Sequence, residues 1–177
     1  MRAPPLFLSL TIQAVAFATI AGAWTFEAYG YAPCELCLKE RLAYYAAIPI
    51  AGTTAFVALY GTNGLLRAAF AVLALIFLGN ALLGFYHAGV EWGFWPGPSA
   101  CTGELDRATS ANDFLRQLKE FHAVRCDEAA LRIFGLSLAS WNALISAGLA
   151  ALAVTGCKAT LHLDGKNTEP SRISRRR

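Results

Sequence analysis

Four long apolar segments dominate the pattern of hydrophobic and polar positions along the chain. They cover about residues 6–28, 42–60, 65–86 and 133–157. A run of about 20 apolar residues can cross the roughly 30 Å hydrocarbon core of a bilayer as a helix, and a helix satisfies its own backbone hydrogen bonds in lipid. The pattern therefore predicts an all-α membrane protein, built as a bundle of four transmembrane helices.

The composition agrees with a chain whose surface faces lipid. Hydrophobic residues make up 56% of it and charged residues only 15%, whereas about a quarter of the residues of a soluble domain are charged. The first apolar segment has a second interpretation as a cleaved signal peptide, because Ala21-Gly22-Ala23 resembles a cleavage site. This segment is longer than the usual apolar region of a signal peptide, so we expect it to remain as the first helix.

The distribution of charge predicts how the bundle is oriented. Residues 158–177 contain six Lys or Arg and two acidic residues, whereas residues 88–132 contain five and seven. Because short cytoplasmic segments carry an excess of Lys and Arg, we expect both termini to be cytoplasmic and the loops 29–41 and 87–132 to lie outside. Residues 1–157 would then form the membrane domain. Residues 158–177 would form a basic cytoplasmic tail, which we interpret as a topology anchor and not as a nucleic-acid site.

The five cysteines divide between the two sides of this topology. Cys34 and Cys37 fall in the first outer loop, Cys101 and Cys126 fall in the second, and Cys157 falls at the cytoplasmic end. Disulfides persist in oxidising compartments, where an even number of cysteines is expected. We therefore expect disulfides among the four outer cysteines and a passive buried thiol at Cys157.

The CxxC motif is the most informative local feature. If the second helix begins near it, Cys34 and Cys37 lie one turn apart at a helix N-terminus, where backbone N–H groups favour a thiolate. Arg41 follows Cys37 by four residues and shares its helix face, so its guanidinium is placed to stabilise a thiolate and to donate hydrogen bonds to an acceptor's oxygen. A static disulfide and half of a zinc site are the alternatives. Zinc is disfavoured because Cys101 and Cys126 are 25 positions apart and form no second close pair, so no metal is predicted.

Taken together, these features resemble the DsbB family. The resemblance rests on four helices, on a CxxC followed by Glu40 and Arg41, and on a long outer loop with two separated cysteines. Residues 97–101 and the approach to Trp141 in the last helix are similar to that family too, and the resemblance covers about residues 6–157. The vitamin K epoxide reductase type has a related bundle, but its loop cysteines precede its CxxC, whereas here the CxxC comes first.

The resemblance implies a quinone-dependent thiol oxidase of the bacterial inner membrane that generates disulfides de novo. Its outer loops would be periplasmic, and its partner would be a periplasmic, DsbA-like thiol oxidase with a thioredoxin-like fold. The cofactor would be ubiquinone or menaquinone from the membrane pool. No haem, flavin or iron–sulfur motif is visible in the sequence. An outward-running thiol reductase and a non-catalytic scaffold with two structural disulfides are the alternatives.

The resemblance also implies a role for each outer cysteine. The partner's thiolate would attack Cys101, which would be paired with Cys126 in the oxidised protein. Cys126 would then pass the electrons to Cys34. Cys37 would face the quinone beside Arg41.

Three further features have weaker support. By the resemblance His87 would hold the quinone's other oxygen or supply a proton, and the alternative is an ordinary interfacial histidine. We interpret Glu40 as a residue that orients Arg41 or contacts water. The apolar stripe within residues 114–121 fits a short helix that lies on the membrane lipid, with a docking face for the partner as the alternative.

Overall fold

The computed structural model of the protein describes residues 3–98, 110 and 125–168, with side chains described up to residue 161 in the last helix. In this part of the chain four helices form a bundle, and a two-stranded antiparallel hairpin precedes the last of them. The elements are α1 (Ala3–Ala28), α2 (Glu35–Tyr60), α3 (Asn63–Glu91), β1 (Arg132–Ile133), β2 (Leu136–Ser137) and α4 (Leu138–Thr168).

All four helices are long and apolar enough to cross a membrane. The prediction of an all-α four-helix membrane protein is therefore confirmed. The packed interior consists mainly of small and apolar side chains, with Phe70 and Phe77 among the largest of them. Apolar side chains such as Phe7, Leu75 and Phe85 lie exposed on the outside of the bundle, as expected where the solvent is lipid.

Helix α2 begins seven residues earlier than the apolar pattern predicts, at Glu35 instead of 42. Its first turns are polar, and hydropathy therefore does not reveal them. They are stabilised by the Glu35–Lys39 ion pair, whose Oε1–Nζ distance is 2.7 Å, and by an N-cap at Cys34. The CxxC motif consequently belongs to the helix and not to a loop that ends at residue 41.

The last helix also differs from its predicted span of 133–157. It begins at Leu138 and continues to Thr168, so that it runs into the segment predicted as a tail. The apolar residues just before it form the hairpin, in which Ile133 pairs with Leu136. Phe134 and Gly135 connect the strands with φ angles of 52° and 82°, the left-handed conformations that a two-residue hairpin turn requires. Helix α3 ends at Glu91, five residues later than predicted.

The N-terminal end of α2 and the C-terminal end of α3 meet at one end of the bundle. A second buried cluster forms there from Cys34, Leu36, Val90 and Cys126, with Trp95 packed against it. Trp95 donates its indole N–H to the carbonyl of Tyr86 on α3 at 2.7 Å, which folds the segment after α3 back over the CxxC.

Candidate functional site

The CxxC pair sits at the helix start in two different environments. Cys34 has extended backbone angles and caps α2, and its Sγ accepts the backbone N–H of Cys37 at 3.3 Å. Cys37 lies within the first turn, with its Sγ 3.1 Å from that of Cys34. Both are free thiols, with Cys34 buried and Cys37 half-buried. The pair is therefore a reduced dithiol with its sulfurs in contact.

The contacts that stabilise a thiolate converge on Cys34. The hydrogen bond from the Cys37 side chain lowers its pKa, burial opposes this shift, and hydrogen bonds from His87 and from the backbone of Cys37 lower the pKa further, to about 4. The Sγ of Cys34 lies 3.5 Å from Nε2 of His87. The sequence predicted that a helix N-terminus and a nearby cation would stabilise a thiolate at this motif. In the described part of the chain, the basic side chain that contacts a sulfur of the motif is His87, which lies against Cys34.

His87 is held between carboxylates in the protein interior. Its Nδ1 lies 2.8 Å from Oε1 of Glu40, and its Nε2 lies 4.0 Å from Oε1 of Glu91. Only 1% of the His87 side chain and 7% of the Glu40 side chain are exposed. The expectation that Glu40 orients Arg41 or contacts water is therefore wrong, because its side chain is buried against His87.

Arg41 forms its described side-chain contacts with α1. Its Nη1 donates to Oε2 of Glu27 at 2.7 Å, and its Nη2 donates to the carbonyl of Ala23 at 3.4 Å. Glu27 was not among the predicted site residues, although the sequence contains a signal for it. Glu27 is the single acidic residue of the first apolar segment, and a carboxylate at such a position requires a partner.

A cavity of about 380 Å³ opens between α1, α2 and α4. Its polar side chains include Cys37, Glu40, Arg41, Tyr44 and Asn142, and most of the rest of its wall is apolar. Because the cysteine, the arginine and the tyrosine share a face of α2, this face presents a sulfur, a cation and a hydroxyl to the same space.

The residues described as lining this cavity do not include His87. The resemblance assigned His87 to the second oxygen of a quinone, and this role stays a prediction; in the structure His87 lies against Cys34 and Glu40. Glu40 is the side chain that joins the two regions, since it both contacts His87 and lines the cavity.

A buried polar cluster fixes the inner end of the cavity wall. The hydroxyl of Tyr44 donates to Oδ1 of Asn142 at 2.6 Å and lies 3.0 Å from Oγ of Ser146. Asn80 of α3 donates to the same two side chains, at 3.3 Å and 2.9 Å. These bonds connect α2, α3 and α4 across the bundle and hold Tyr44 in place, as expected for polar groups in an apolar interior.

Cys126 is disulfide-bonded and buried in the same cluster as Cys34. Its predicted partner Cys101 lies outside the described residues, as does the predicted interfacial helix within 114–121, so both remain predictions. At the opposite end of the bundle, the Sγ of Cys157 lies 3.6 Å from the carbonyl oxygen of Arg67. Among the cysteines described, Cys157 is therefore the one remote from this site.

Three side chains of the site also have the donor types of a soft-metal centre. The ligand atoms of Cys34, Cys37 and His87 all lie within 4.8 Å of one another. A structural zinc site normally has four protein ligands, so among the described residues this set is one short. The same atoms suit thiol chemistry, in which a histidine beside a cysteine activates the sulfur.

Comparison with known proteins gives one family and one relative. Residues 5–156 match the family described as "Disulfide bond formation protein DsbB". An uncharacterized protein of Rickettsia prowazekii (strain Madrid E), RP370, is 24% identical over 143 residues, which cover 78% of this chain and 80% of that protein. No solved structure gives a significant match.

Proposed function

Since the chain belongs to the DsbB family of membrane disulfide bond formation proteins, we propose that it is a quinone-dependent thiol oxidase that generates disulfides de novo. It reoxidises a periplasmic dithiol oxidase with a thioredoxin-like fold, and the electrons leave through a membrane quinone. They travel from the pair Cys101/Cys126 to the pair Cys34/Cys37 and then to the quinone.

The position of the dithiol between two environments is the observation that carries this proposal. Cys34 shares a buried cluster with the disulfide-bonded Cys126, and Cys37 lines the cavity between the membrane helices. In the proposed relay a thiolate attacks Cys34 and so brings electrons into the pair. The electrons then leave from Cys37, one helical turn away. Thiol–disulfide exchange proceeds by attack of a thiolate on a disulfide sulfur, and the shared cluster keeps Cys126 in the neighbourhood of Cys34.

The residues of the cavity fit a quinone. Ligand sites usually enclose about 300–1,000 Å³ and combine apolar walls with a few polar groups, and this cavity has about 380 Å³ and a mostly apolar wall. Arg41 would hold a quinone oxygen. It has five N–H donors, and its bonds to Glu27 and Ala23 engage two of them. Tyr44 supplies a hydroxyl, and the quinone itself supplies the capacity to accept two electrons. Ubiquinone and menaquinone both have this chemistry.

The family supports the proposed partner, and the charge distribution supports the proposed sidedness. We assign Cys101 as the residue that the partner's thiolate attacks. We place the loops on the periplasmic side of the bacterial inner membrane and both termini in the cytoplasm. The buried Glu40 and the ion pair of Arg41 with Glu27 lie at the same end of the bundle as the CxxC, and with the proposed sidedness this end would face the periplasm.

Quinone reduction by the purified protein tests the proposal. The full chain in detergent receives a reduced dithiol oxidase and a water-soluble quinone, and the loss of quinone absorbance is followed. We expect turnover in the wild type and in Cys157→Ser, which is the matched control because its sulfur lies at the far end of the bundle. Cys34→Ser and Cys37→Ser should abolish turnover, since two electrons must leave a dithiol as a pair. Steady turnover in either of these two variants would contradict the relay.

A further inference from the structure

A buried line of contacts connects the first cysteine to the cavity. It runs from the Cys34 sulfur to Nε2 of His87 over 3.5 Å, and from Nδ1 of His87 to Oε1 of Glu40 over 2.8 Å. Glu40 then lines the cavity beside Cys37. A thiol, an imidazole and a carboxylate in this order form the arrangement in which a base activates a nucleophile and a third group orients the base.

From this geometry we infer that Cys34, His87 and Glu40 form a proton relay, in which His87 is the general base for Cys34 and Glu40 delivers the proton to the cavity. The inference rests on the proposed function, because the cavity is the place where a quinone would need protons. It gives His87 a role at a sulfur and not at the quinone's oxygen. His87 is then a catalytic residue, and Glu40 acts through it.

The relay balances the reaction of the dithiol with the quinone. One S–S bond forms, and the dithiol together with His87 gives up two electrons and two protons, which a bound quinone would accept. In the reduced pair the proton of Cys34 resides on Nε2 of His87, so that Cys34 is a thiolate, and the proton on Nδ1 moves to Glu40 as the disulfide forms. The Cys34 thiolate attacks the sulfur of Cys37 as an electron pair leaves Cys37 for the quinone. The second proton comes from Cys37, which itself lines the cavity.

The groups around His87 support this direction of transfer. Cys34 and Glu40 face its two ring nitrogens, and Glu91 approaches Nε2 at 4.0 Å from the same helix. Two negative groups on separate nitrogens favour the imidazolium form whenever Cys34 is a thiolate. From the hairpin, Arg132 acts on Glu91 and partly offsets its charge. His87 is therefore paired on both sides and excluded from water, so that protons pass along it and do not exchange with bulk water.

A merely structural His–Glu pair would leave the acidity of Cys34 unchanged, and the experiment therefore measures that acidity directly. The full-length protein with Cys101, Cys126 and Cys157 replaced by Ser keeps only the CxxC. It is reduced in detergent with a chelator present, and the ultraviolet absorbance of the thiolate is followed against pH. No quinone is needed for this measurement.

In this protein, with no other residue changed, we expect the Cys34 thiolate to persist down to about pH 4. His87→Asn should raise the midpoint by about 1–3 pH units, since a cation next to the thiolate is lost. Glu40→Gln should raise it less, because the imidazole stays but loses its carboxylate. The matched control is Glu35→Gln, which removes an exposed acid adjacent to Cys34 that pairs with Lys39 and should leave the midpoint in place.

Two further readouts separate a relay from a simple charge effect. Infrared difference spectra between the reduced and oxidised protein should contain a carboxylic-acid band that Glu40→Gln removes and Glu35→Gln retains. In quinone turnover, His87→Asn should lower the rate about 10²–10⁴-fold, the usual contribution of a general base. Glu40→Asp should recover part of the loss seen in Glu40→Gln.

An unchanged thiolate midpoint in His87→Asn, or an infrared band that survives Glu40→Gln, would overturn the relay. If His87→Asn fails to insert, Glu40→Gln tests the relay through the same two measurements. If the thiolate midpoint shifts as expected in the variants but the wild-type protein reduces no quinone, the proposed function is refuted and the Cys34–His87 pairing stands. Normal quinone turnover in folded His87→Asn would refute the relay and keep the function.

Discussion

Replacement of Arg41 is the sharpest test of how the cavity holds a quinone. Arg41 lines the cavity and has 13% of its side chain exposed, so its guanidinium acts in a partly desolvated position. A hydrogen bond that involves a charged group contributes about 1.5–3 kcal/mol. Because 1.4 kcal/mol corresponds to a tenfold change in affinity, Arg41→Ala should raise the apparent KM for quinone about ten- to a hundredfold.

The ion pair of Arg41 allows the contribution of its position to be separated from that of its charge. Glu27 is 46% exposed, and an exposed pair of this kind contributes about 0–1 kcal/mol. Glu27→Gln keeps the charge of Arg41 and loosens its position, so we expect KM to rise by no more than about fivefold. Arg41→Lys should recover part of the loss in Arg41→Ala, because it keeps the charge and loses the planar fork.

The assay measures quinone reduction at varied quinone concentration, with thiol–disulfide exchange between Cys101 and the partner as the control. In the proposed relay this exchange does not involve the cavity, so it should be unaffected in each Arg41 variant. Wild-type quinone kinetics in correctly inserted Arg41→Ala protein would refute the role of the guanidinium. A larger effect in Glu27→Gln than in Arg41→Ala would show instead that the Glu27 carboxylate contributes more to quinone binding than the Arg41 guanidinium.

Three further predictions concern the cysteines. Cys126→Ser should trap a covalent complex between Cys101 and the partner, and the absence of such a complex on non-reducing gels would mean that the loop cysteines are wrongly assigned. A membrane-impermeant thiol reagent added to reduced spheroplasts should label Cys101 and Cys126 but not Cys157, and labelling of Cys157 alone would invert the topology. Hydrogen bonds from Cys37 and His87 hold the pKa of Cys34 at about 4, so the reduced pair gains stability as pH rises above that value and loses it as pH falls towards 4. Ultraviolet titration of the reduced protein should therefore show thiolate absorbance down to about pH 4, and a midpoint near the ordinary pKa of a thiol would contradict a Cys34 thiolate.

The number of helices and the position of the CxxC at a helix N-terminus were predictable from the sequence because both depend on local properties. A segment in lipid must bond its own backbone, so the apolar runs specify helices without knowledge of their neighbours. The spacing of Cys34, Cys37 and Arg41 likewise sets a shared helix face once the helix begins near the motif. Residues 132–137 show the limit of this reasoning. Their apolar side chains fit a helix as well as a hairpin, and the backbone conformation of Phe134 and Gly135 decides between them.

The contacts of each side chain within the site depended on tertiary structure. Which charge reaches which sulfur is decided by the packing of α2 against α3, which brings His87 to Cys34 across 53 positions of sequence. The packing of α1 against α2 pairs Arg41 with Glu27, and burial turns Glu40 towards His87. A charged group in an apolar interior is stable only when it is paired, and the neighbouring helices supply the groups with which it pairs. Sequence therefore determined the position of the CxxC pair at the start of an apolar helix, whereas helix packing decided which cysteine contacts the histidine and which lines the cavity.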